Sequence, residues 1–434
     1  MDERKGLLRE LLSKKPADVA EVLAELSDGQ AAEVIHRLFL RGAATDALAE
    51  MDPDESAGVV EKLDRHEAST ILSRMNPDDA VDLLDELPEE VQQELLSRLS
   101  RQEAQVLTNL LAYPPDTAGG LMSPEVVPLS LSMTAQEAID FLRQRQEEAE
   151  TVYYAYAVDD AQKLLGVLSL RDIALAPPNR SLRELVVRDA VSVPVDADAE
   201  TVARLFDKYD YFALPVVDAE HRLLGVITVD DVIDVMRDEA TEDIYGLASV
   251  PAEESLDTSW WSSFRLRLPW LYARLATALA AAFVVGLFEQ TIAKAVALAV
   301  IMGVVAGQGG SAGMQTVTII TRGMALGELD RKKGWRLLAK EVALALVNGV
   351  LIGATVGAIT YLWKGEILLG VVVCVAMLLN MIIGAIGGVV IPVAVRGLGR
   401  DPSHISGIFL TTITDVVGFG LLFLIARLLL PAIR

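Results

Sequence analysis

A single carboxylate in the last apolar stretch of the sequence has surroundings that suit a cation. Asp415 follows Thr411, Thr412 and Thr414, and no other charged residue lies within ten positions on either side. A charged side chain at the centre of a bilayer costs at least about 2.5 kcal/mol, so such a residue usually faces an ion or a polar cavity. Hydroxyl and carboxylate oxygens are the ligands that a hard cation such as Mg²⁺ prefers. We therefore predict a cation site at Asp415, Thr411 and Thr412; the alternative is a carboxylate hydrogen-bonded to hydroxyl groups near a helix end.

The second apolar stretch is rich in glycine, which bears on how a polar passage could form. Residues 303–315 read GVVAGQGGSAGMQ. Glycines let helices approach closely, and they also permit local unwinding that exposes carbonyl groups to a passage. Plain packing of small residues is an equally good interpretation. The residues that we predict to line a passage are Gly309, Gly310, Ser311, Gly313, Gln315 and, from the fourth apolar stretch, Asn380.

Two clusters of carboxylates outside the apolar stretches could bind divalent cations. One lies in PDDAVDLLDEL (residues 77–87) and the other in VDDVIDVMRDEATED (residues 229–243). Carboxylates one helical turn apart repel each other by about 0.2–0.5 kcal/mol per pair, and a bridging dication would remove that cost. A solvated acidic face is the alternative for either helix alone. The candidate regulatory carboxylates are Asp78, Asp79, Asp82, Glu200, Asp230, Asp231, Asp234, Glu239, Glu242, Asp243 and, early in the third apolar stretch, Glu341.

The charge is distributed very unevenly along the chain. Residues 1–264 hold 23 basic and 54 acidic side chains, for a net charge of −31, whereas residues 265–434 hold 15 basic and 7 acidic side chains, for +8. A module as acidic as the first repels nucleic acid and anionic lipid and attracts multivalent cations. The sequence has no phosphate-binding loop, and its four histidines lack the spacing of a metal site or a catalytic triad. We therefore expect no nucleic-acid binding and no enzymatic activity; a membrane-tethered enzyme or nucleotide sensor is a remote alternative.

Five apolar segments of the C-terminal part are each long enough to cross a hydrocarbon core of ~30 Å. Basic residues cluster before the first segment and in the loops after the second and the fourth, whereas the opposite loops hold only Lys294 and Lys364. Because basic loops remain in the cytoplasm, this bias predicts an N-terminus inside and a C-terminus outside. No apolar signal segment precedes residue 264, so we expect the N-terminal part to be cytoplasmic. The segments are residues 269–290, 293–320, 337–363, 366–396 and 404–431.

The first 112 residues carry a loose helical repeat. Proline stands at four apparent helix starts, where its missing N–H costs nothing, and apolar residues then recur at spacings of three and four. This pattern predicts an all-α superhelical domain over residues 1–112. Residues 113–123, YPPDTAGGLMS, follow as a predicted hinge rich in proline and glycine. The four prolines are Pro16, Pro53, Pro77 and Pro88.

Residues 124–246 contain one α/β unit twice, over 124–184 and 187–246. The LLGV segments of the two copies are 59 residues apart, and each copy alternates helical stretches with β-branched strands. The pair resembles the tandem cystathionine-β-synthase (CBS) domain. That resemblance implies a regulatory module that binds adenine nucleotides, such as ATP, or ions.

Over its whole length the chain resembles the MgtE family of bacterial magnesium transporters. Besides the domain order, the motifs that carry the resemblance include GGSAGMQT (309–316) and DPSHISG (401–407) with TTITDVVG (411–418). The resemblance implies a homodimer in the bacterial inner membrane, with a pore between the subunits and an ion site at Asp415. It also implies that Mg²⁺ bound between the N domain and the CBS pair closes the pore through a connecting helix.

The resemblance places this connecting helix at residues 247–268, before a transmembrane domain of residues 269–434. It also adds Asp210 to the regulatory carboxylates.

Two positions depart from the family pattern. Ser311 stands where the family commonly has Asn, which could alter ion selectivity, and Ile408 follows Gly407 where the family often has Pro. No His, Cys or Met lies beside Asp415, and softer metals favour nitrogen or sulfur ligands, so the sequence favours Mg²⁺. A transporter of another divalent metal, such as Mn²⁺ or Co²⁺, remains the alternative.

Overall fold

The computed structural model of the 434-residue chain describes residues 11–145, 153–252, 254–256, 258–325, 329 and 331–429. The chain forms two compact units, residues 1–236 and 237–434. The first unit holds a helical domain and two small α/β repeats, and the second holds five long apolar helices. The predicted fold class is therefore confirmed: an all-α N domain, an α/β tandem pair and a five-span α-helical domain.

Eight short helices open the described part of the first unit, and prolines mark several of their starts. Pro16, Pro53 and Pro77 lie at the start of their helices, where the N–H that proline lacks has no intrahelical partner. Pro88 is instead the N-cap of its helix. The apolar faces of these helices pack into one continuous core. The helices are α1 (Pro16–Ala24), α2 (Asp28–Phe39), α3 (Ala44–Ala49), α4 (Pro53–Lys62), α5 (Arg65–Leu72), α6 (Pro77–Asp85), α7 (Glu89–Arg98) and α8 (Arg101–Leu110).

The segment predicted as a hinge is instead packed against the second α/β repeat. The N–H of Ala118 donates to the carbonyl of Ala197 at 2.7 Å, and Ser123 and Val226 exchange two backbone hydrogen bonds of 2.8 Å. Ala118 and Ser123 are both fully buried. The sequence shows the turn-forming prolines and glycines but not the strand edge that satisfies their backbone groups. Residues 113–123 therefore pack against repeat 2 in this arrangement, in which the helical domain and the second repeat share one hydrophobic core.

The two α/β repeats have the same three-stranded topology. In each, a short first strand pairs in parallel with the second, which pairs antiparallel with the third. Repeat 1 consists of β1 (Pro128–Ser130), α9 (Ala135–Gln144), β2 (Tyr154–Val158), β3 (Leu164–Ser169), α10 (Leu170–Leu175) and a 3₁₀ turn at Leu182–Glu184. Repeat 2 consists of β4 (Val193–Pro194), α11 (Ala199–Tyr209), β5 (Ala213–Val217), β6 (Leu223–Thr228) and α12 (Val229–Leu247).

Among the described residues of 247–268, the structure shows no separate connecting helix of the kind that the family resemblance implied. Helix α12 runs without a break to Leu247, and the described residues from 248 to 259 are not helical. Ser249 has a positive φ of 58°, and Pro251 cannot donate a helical hydrogen bond, so the helix ends here. Residues 260–268, the rest of the predicted connecting helix, belong to the first membrane span.

The loop after α12 is tied to the first span by a buried carboxylate. Glu254 is 6% exposed and accepts hydrogen bonds from Ser263 Oγ at 2.7 Å and from Arg267 Nη2 at 2.5 Å. The hydroxyl of Ser259 accepts from the N–H of Ser262 and caps the span. These contacts explain why the first span begins at Trp260, before its predicted start at residue 269.

Among the described residues, five helices are long and apolar enough to cross a membrane, as the sequence predicted. We call them spans 1 to 5, in chain order. A short helix, α14 (Glu289–Lys294), lies between spans 1 and 2. The spans are formed by α13 (Trp260–Leu287), α15 (Ala297–Ala325), α16 (Arg331–Lys364), α17 (Ile367–Gly397) and α18 (Pro402–Leu429).

Spans 3 and 4 pack through glycines that recur every four residues, a contact that we call the glycine seam. A Cβ added to Gly353 would lie 2.8 Å from the carbonyl oxygen of Cys374, and one added to Gly357 would lie 2.6 Å from that of Gly370. Small residues at this spacing let two membrane helices bring their backbones together. The facing pairs are Gly349 with Leu378, Gly353 with Cys374 and Gly357 with Gly370.

Candidate functional site

The threonines around Asp415 use their hydroxyl groups within their own helix. Thr411 Oγ1 donates to the Gly407 carbonyl at 3.0 Å, and Thr412 Oγ1 donates to the Ile408 carbonyl at 2.6 Å. The hydroxyl protons therefore do not bind Asp415, which argues against the alternative of a carboxylate held by neighbouring hydroxyls. Each hydroxyl donates its proton to the backbone, so its oxygen can still accept a hydrogen bond from the water shell of a cation. Asp415 itself is half-buried on span 5.

The glycine-rich part of span 2 lies against the Thr/Asp turn of span 5. A Cβ added to Gly310 would lie 3.4 Å from Thr414 Oγ1. Ser311 and Gln315, one helical turn apart, are exposed on the surface of span 2. Span 2 is a continuous helix from Ala297 to Ala325, so the local unwinding that glycines permit is not present. The polar face of this region is made by side chains rather than by released carbonyl groups.

Asn380 was predicted to line a passage, but the structure buries it completely between three spans. Its Nδ2 donates to the Val305 carbonyl of span 2 at 3.0 Å. A Cβ on Gly309 of span 2 or on Gly418 of span 5 would collide with this amide group. Gly309 and Gly313 are likewise buried against span 4. The structure places these three residues at helix contacts, as the small-residue packing interpretation expects for the two glycines.

A basic residue of span 1 was missed by the sequence reasoning. Arg274 is close enough to Asp415 to interact with it electrostatically. The signal was present in the sequence, since a charged residue inside a membrane span is a functional candidate by itself. We therefore add Arg274 to the groups that set the charge around Asp415.

Glu341 lies inside the membrane unit and is 4% exposed. Its Oε2 accepts a hydrogen bond from Thr316 Oγ1 of span 2 at 3.0 Å, and Lys340 Nζ lies 3.7 Å from Oε1. This buried carboxylate therefore joins span 3 to span 2, a role that the sequence pattern did not show.

In the first unit, the structure brings together one carboxylate from each acidic cluster. Asp82 of α6 keeps contact with solvent, but the surrounding protein and then the negative charge of Asp231 raise its pKa to about 6. Burial also raises the pKa of Asp231 to about 6, although Thr228 Oγ1 donates to its Oδ2 at 2.6 Å. No basic side chain lowers either pKa. The negative charge of Asp231 thus reaches Asp82, so one carboxylate of each acidic cluster lies within electrostatic range of a carboxylate of the other.

The other predicted regulatory carboxylates are buried to different degrees. Asp78 is buried on α6, and Asp79 is half-buried beside it. Asp210 is exposed at the end of α11 with a left-handed φ of 52°, and its N–H donates to the Phe206 carbonyl. Asp230 and Asp234 are exposed on α12, whereas Glu200, Glu239, Glu242 and Asp243 are partly buried on their helices.

Within the described parts of the chain, no three His, Cys, Asp or Glu residues lie close enough together to hold a metal ion. A pair of carboxylates nevertheless suits Mg²⁺, which usually keeps several waters and binds through one or two carboxylates. Zn²⁺ in a structural site, by contrast, takes four protein ligands that include His or Cys. The Asp82–Asp231 pair therefore fits hydrated Mg²⁺ better than it fits a dehydrated metal.

Family models match three parts of the chain. Residues 302–425 match a family described as a divalent cation transporter, MgtE. Residues 14–116 match the MgtE intracellular N domain, and residues 118–179 and 182–238 match CBS domains. These matches cover both compact units.

Curated relatives match over most of the chain. A magnesium transporter MgtE of Bacillus subtilis is 31% identical over 427 residues, which is 98% of this chain and 94% of that protein. A magnesium transporter MgtE of Thermus thermophilus is 38% identical over 75% of this chain and 72% of that protein. Among solved structures, the cytosolic domain of the Mg²⁺ channel MgtE in complex with ATP is 37% identical, with a TM-score of 0.50, over 54% of this chain and 94% of that one.

Proposed function

Because the chain belongs to the MgtE family of divalent cation transporters, we propose that it carries Mg²⁺ across a membrane through a path at Asp415. The observation that carries this proposal is the placement of a half-buried carboxylate of span 5 beside the glycine-rich segment of span 2. One carboxylate per subunit holds Mg²⁺ through its water shell, since this ion gives up water reluctantly. A hydrated ion passes through such a path only if it binds strongly enough to enter and weakly enough to leave.

The path forms between two copies of the chain. Ser311 and Gln315 are exposed on span 2, and polar groups facing lipid are unfavourable. A second copy related by a two-fold axis would cover this polar face with the same face of its own span 2. The homodimer therefore buries the polar face and creates the passage in one step.

Mg²⁺ bound in the N-terminal unit regulates the path. Asp82 of the helical domain lies within electrostatic range of Asp231 of repeat 2, and burial disfavours the charged form of each carboxylate. A bound dication removes this penalty and favours the compact arrangement of the two domains. Raised internal Mg²⁺ therefore closes the path, which gives negative feedback on uptake.

The membrane orientation follows from the basic loops. Arg322, Arg336, Arg396 and Arg400 lie at the ends of spans that emerge on one side, and the positive-inside rule places that side in the cytoplasm. The N-terminal unit is then cytoplasmic, and the C-terminus is outside. The bacterial relatives favour the inner membrane as the location.

ATP is a second proposed ligand of the CBS pair. The MgtE cytosolic domain of known structure was determined in complex with ATP. In this chain, Tyr153 and Phe212 occupy equivalent positions of the two repeats, 59 residues apart, and their exposed rings stack at 5.4 Å. Exposed aromatic faces are suited to stacking on a nucleobase. Equilibrium dialysis of the purified chain with ATP, compared with a Tyr153→Ala variant, tests this.

Mg²⁺ flux into liposomes that contain the purified protein tests the transport proposal. Asp415→Asn should reduce flux by more than about tenfold, because the site loses the charge that holds the hydrated ion. Glu366→Gln is the matched control, since it removes a carboxylate that lies at the start of span 4, outside the proposed path. Flux through Asp415→Asn equal to that of the unchanged chain would refute the proposal.

The same assay separates Mg²⁺ from softer metals. An oxygen-only site should transport Mg²⁺ in the presence of equimolar Co²⁺ with little inhibition, because Co²⁺ finds no nitrogen or sulfur ligand there, whereas Mn²⁺ accepts oxygen ligands as Mg²⁺ does and is the stricter competitor. Strong inhibition at a small fraction of the Mg²⁺ concentration would favour the alternative of a transporter for another divalent metal.

A further inference from the structure

A cavity of about 780 Å³ opens among the ends of spans 2, 3 and 4. Its described walls are almost entirely apolar, with Met324 from the end of span 2, Leu338 from the start of span 3, and Val389 and Val393 from span 4. Arg396 is its charged wall residue among those described. Its volume lies within the range of about 300–1,000 Å³ that is typical of small-molecule sites.

The cavity lies at the level of one membrane surface. Span 2 ends at Ala325, span 3 begins at Arg331 and span 4 ends at Gly397, so these three termini emerge on the same side by alternation of the spans. Trp335, 76% exposed, stands at the rim of the cavity, and Trp is enriched where membrane helices meet the headgroup region. The opening therefore faces the boundary between headgroups and acyl chains.

The opening also faces the hydrocarbon rather than the interior of the protein. Val390 and Val393 are cavity residues, and their side chains are 48% and 45% exposed. Two of its wall residues, Met324 and Val389, belong to a small buried cluster with Ile320. An acyl chain could enter from the side of span 4 without displacing a packed helix.

The charge around the opening is positive. The helix ends at this level carry basic residues: Arg322 on span 2, Arg336 and Lys340 on span 3, and Arg396 with Arg400 at and just after the end of span 4. Arg396 Nη1 donates to the Met324 carbonyl at 2.9 Å, which fixes the guanidinium at the cavity mouth. Its other N–H groups remain available to an anion, and guanidinium binds phosphate in a bidentate manner.

We propose that this cavity is a binding site for an anionic phospholipid, with one acyl chain in the cavity and the phosphate on Arg396. Basic pockets between membrane helices on one side of the bilayer are known to select anionic headgroups. The acidic first part of the chain does not argue against this site, because residues 265–434 carry a net charge of +8. The ligand is a lipid rather than free phosphate, because the apolar walls contribute only if a hydrocarbon chain fills them.

Native mass spectrometry of the full chain, offered equal amounts of phosphatidylglycerol and phosphatidylcholine, tests the site. The unchanged protein should retain phosphatidylglycerol preferentially. Arg396→Gln should lower that retention by about fivefold, the equivalent of one basic residue at an anionic headgroup. Val393→Trp should lower it further by filling the cavity. Lys364→Gln is the matched control, because it removes a basic residue at the opposite end of span 3, where Lys364 lies over the ring of Trp363.

A second measurement covers the case in which a variant fails to fold. Brominated phosphatidylglycerol should quench the fluorescence of Trp335 in a chain whose four other tryptophans are Phe, and brominated phosphatidylcholine should quench it less. The proposal is overturned if Arg396→Gln retains phosphatidylglycerol as the unchanged chain does, or if both lipids quench Trp335 equally. It is also overturned if inorganic phosphate at matched ionic strength displaces phosphatidylglycerol, because the site would then bind an anion alone.

Discussion

The two α/β repeats share a topology and a 59-residue spacing, yet their cores and their final helices differ. Repeat 1 packs its own small core, which includes Leu168, whereas the core of repeat 2, which includes Leu214, is continuous with that of the helical domain. The last α-helix of repeat 1 is the six-residue helix α10, and the last α-helix of repeat 2 is the nineteen-residue helix α12. The two repeats therefore share one topology, but only repeat 2 shares a core with the helical domain and ends in the acidic helix α12.

The largest expected effect concerns the shared core. Leu214→Ala removes a fully buried side chain and should destabilise the first unit by about 2–5 kcal/mol. Because this core is continuous, hydrogen exchange should accelerate in the helical domain as well as in repeat 2. Leu168→Ala, at an equally buried position of repeat 1, should accelerate exchange mainly within residues 128–185. If both variants accelerated hydrogen exchange in the helical domain equally, the two repeats would not differ in their connection to its core.

The next effect concerns the carboxylate pair. In the Asp231→Asn variant, about a hundredfold more Mg²⁺ should be needed to stabilise the first unit to the same extent. The reason is that the proposed site loses one of its two anionic ligands. Asp172→Asn changes the equivalent residue of repeat 1 and should leave the Mg²⁺ response unchanged. Thermal unfolding of the full chain over a Mg²⁺ titration measures both. A shift of the same size in the two variants would contradict the assignment to repeat 2.

The pH dependence of Mg²⁺ binding should follow from the same pair. Burial raises the pKa of Asp82 and of Asp231 to about 6, so in the metal-free protein each favours its protonated form between about pH 4 and 6. The first unit without Mg²⁺ therefore loses stability as the pH rises through this window. Protons compete with Mg²⁺ below pH 6, and apparent affinity should fall about tenfold per carboxylate between pH 7 and pH 5. Isothermal titration calorimetry at both pH values checks this; a constant affinity would exclude these groups as ligands.

The smallest effect concerns the N-terminal cap of the first helix of each repeat. Thr134 and Glu137 form a capping box at the start of α9, whereas the side chain of Asp198 makes no cap hydrogen bond at the start of α11. Thr134→Ala should therefore cost about 1 kcal/mol of unfolding free energy, and Asp198→Ala should cost clearly less. Chemical unfolding of the two variants compares them, and equal losses would show that Asp198 caps its helix in solution.

The sequence predicted those features that depend on composition and periodicity. Five long apolar stretches specify five spans, since length and hydropathy alone decide whether a helix can cross a bilayer. The duplication was visible because LLGV recurs at a fixed distance. The starts of the α1, α4 and α6 helices followed from proline, which fits only the first turn.

The features that depend on long-range contact were missed or predicted wrongly. The Pro/Gly segment at 113–123 reads as a hinge until the edge of repeat 2 is seen to accept its backbone hydrogen bonds. Asn380 reads as a passage residue until two glycines from other spans are seen to enclose it. Residue spacing cannot show that Asp82 interacts with the charge of Asp231, because more than half of the sequence of the first unit lies between them. In each case the deciding partner is distant in sequence.

The glycine seam determines how spans 3 and 4 align along the membrane normal. The facing pairs have one constant sum of residue numbers, as an antiparallel zipper requires, and Gly357 and Gly370 form its tightest step. Sliding span 4 by one turn in one direction would bring Glu366 against Gly357, and sliding it in the other would bring Tyr361 against Gly370. A charged carboxylate or a phenol ring would then separate two backbones that touch in the native pair. The seam thus disfavours register slips. Spans 3 and 4 therefore have one relative position along the membrane normal when the hairpin assembles in the bilayer.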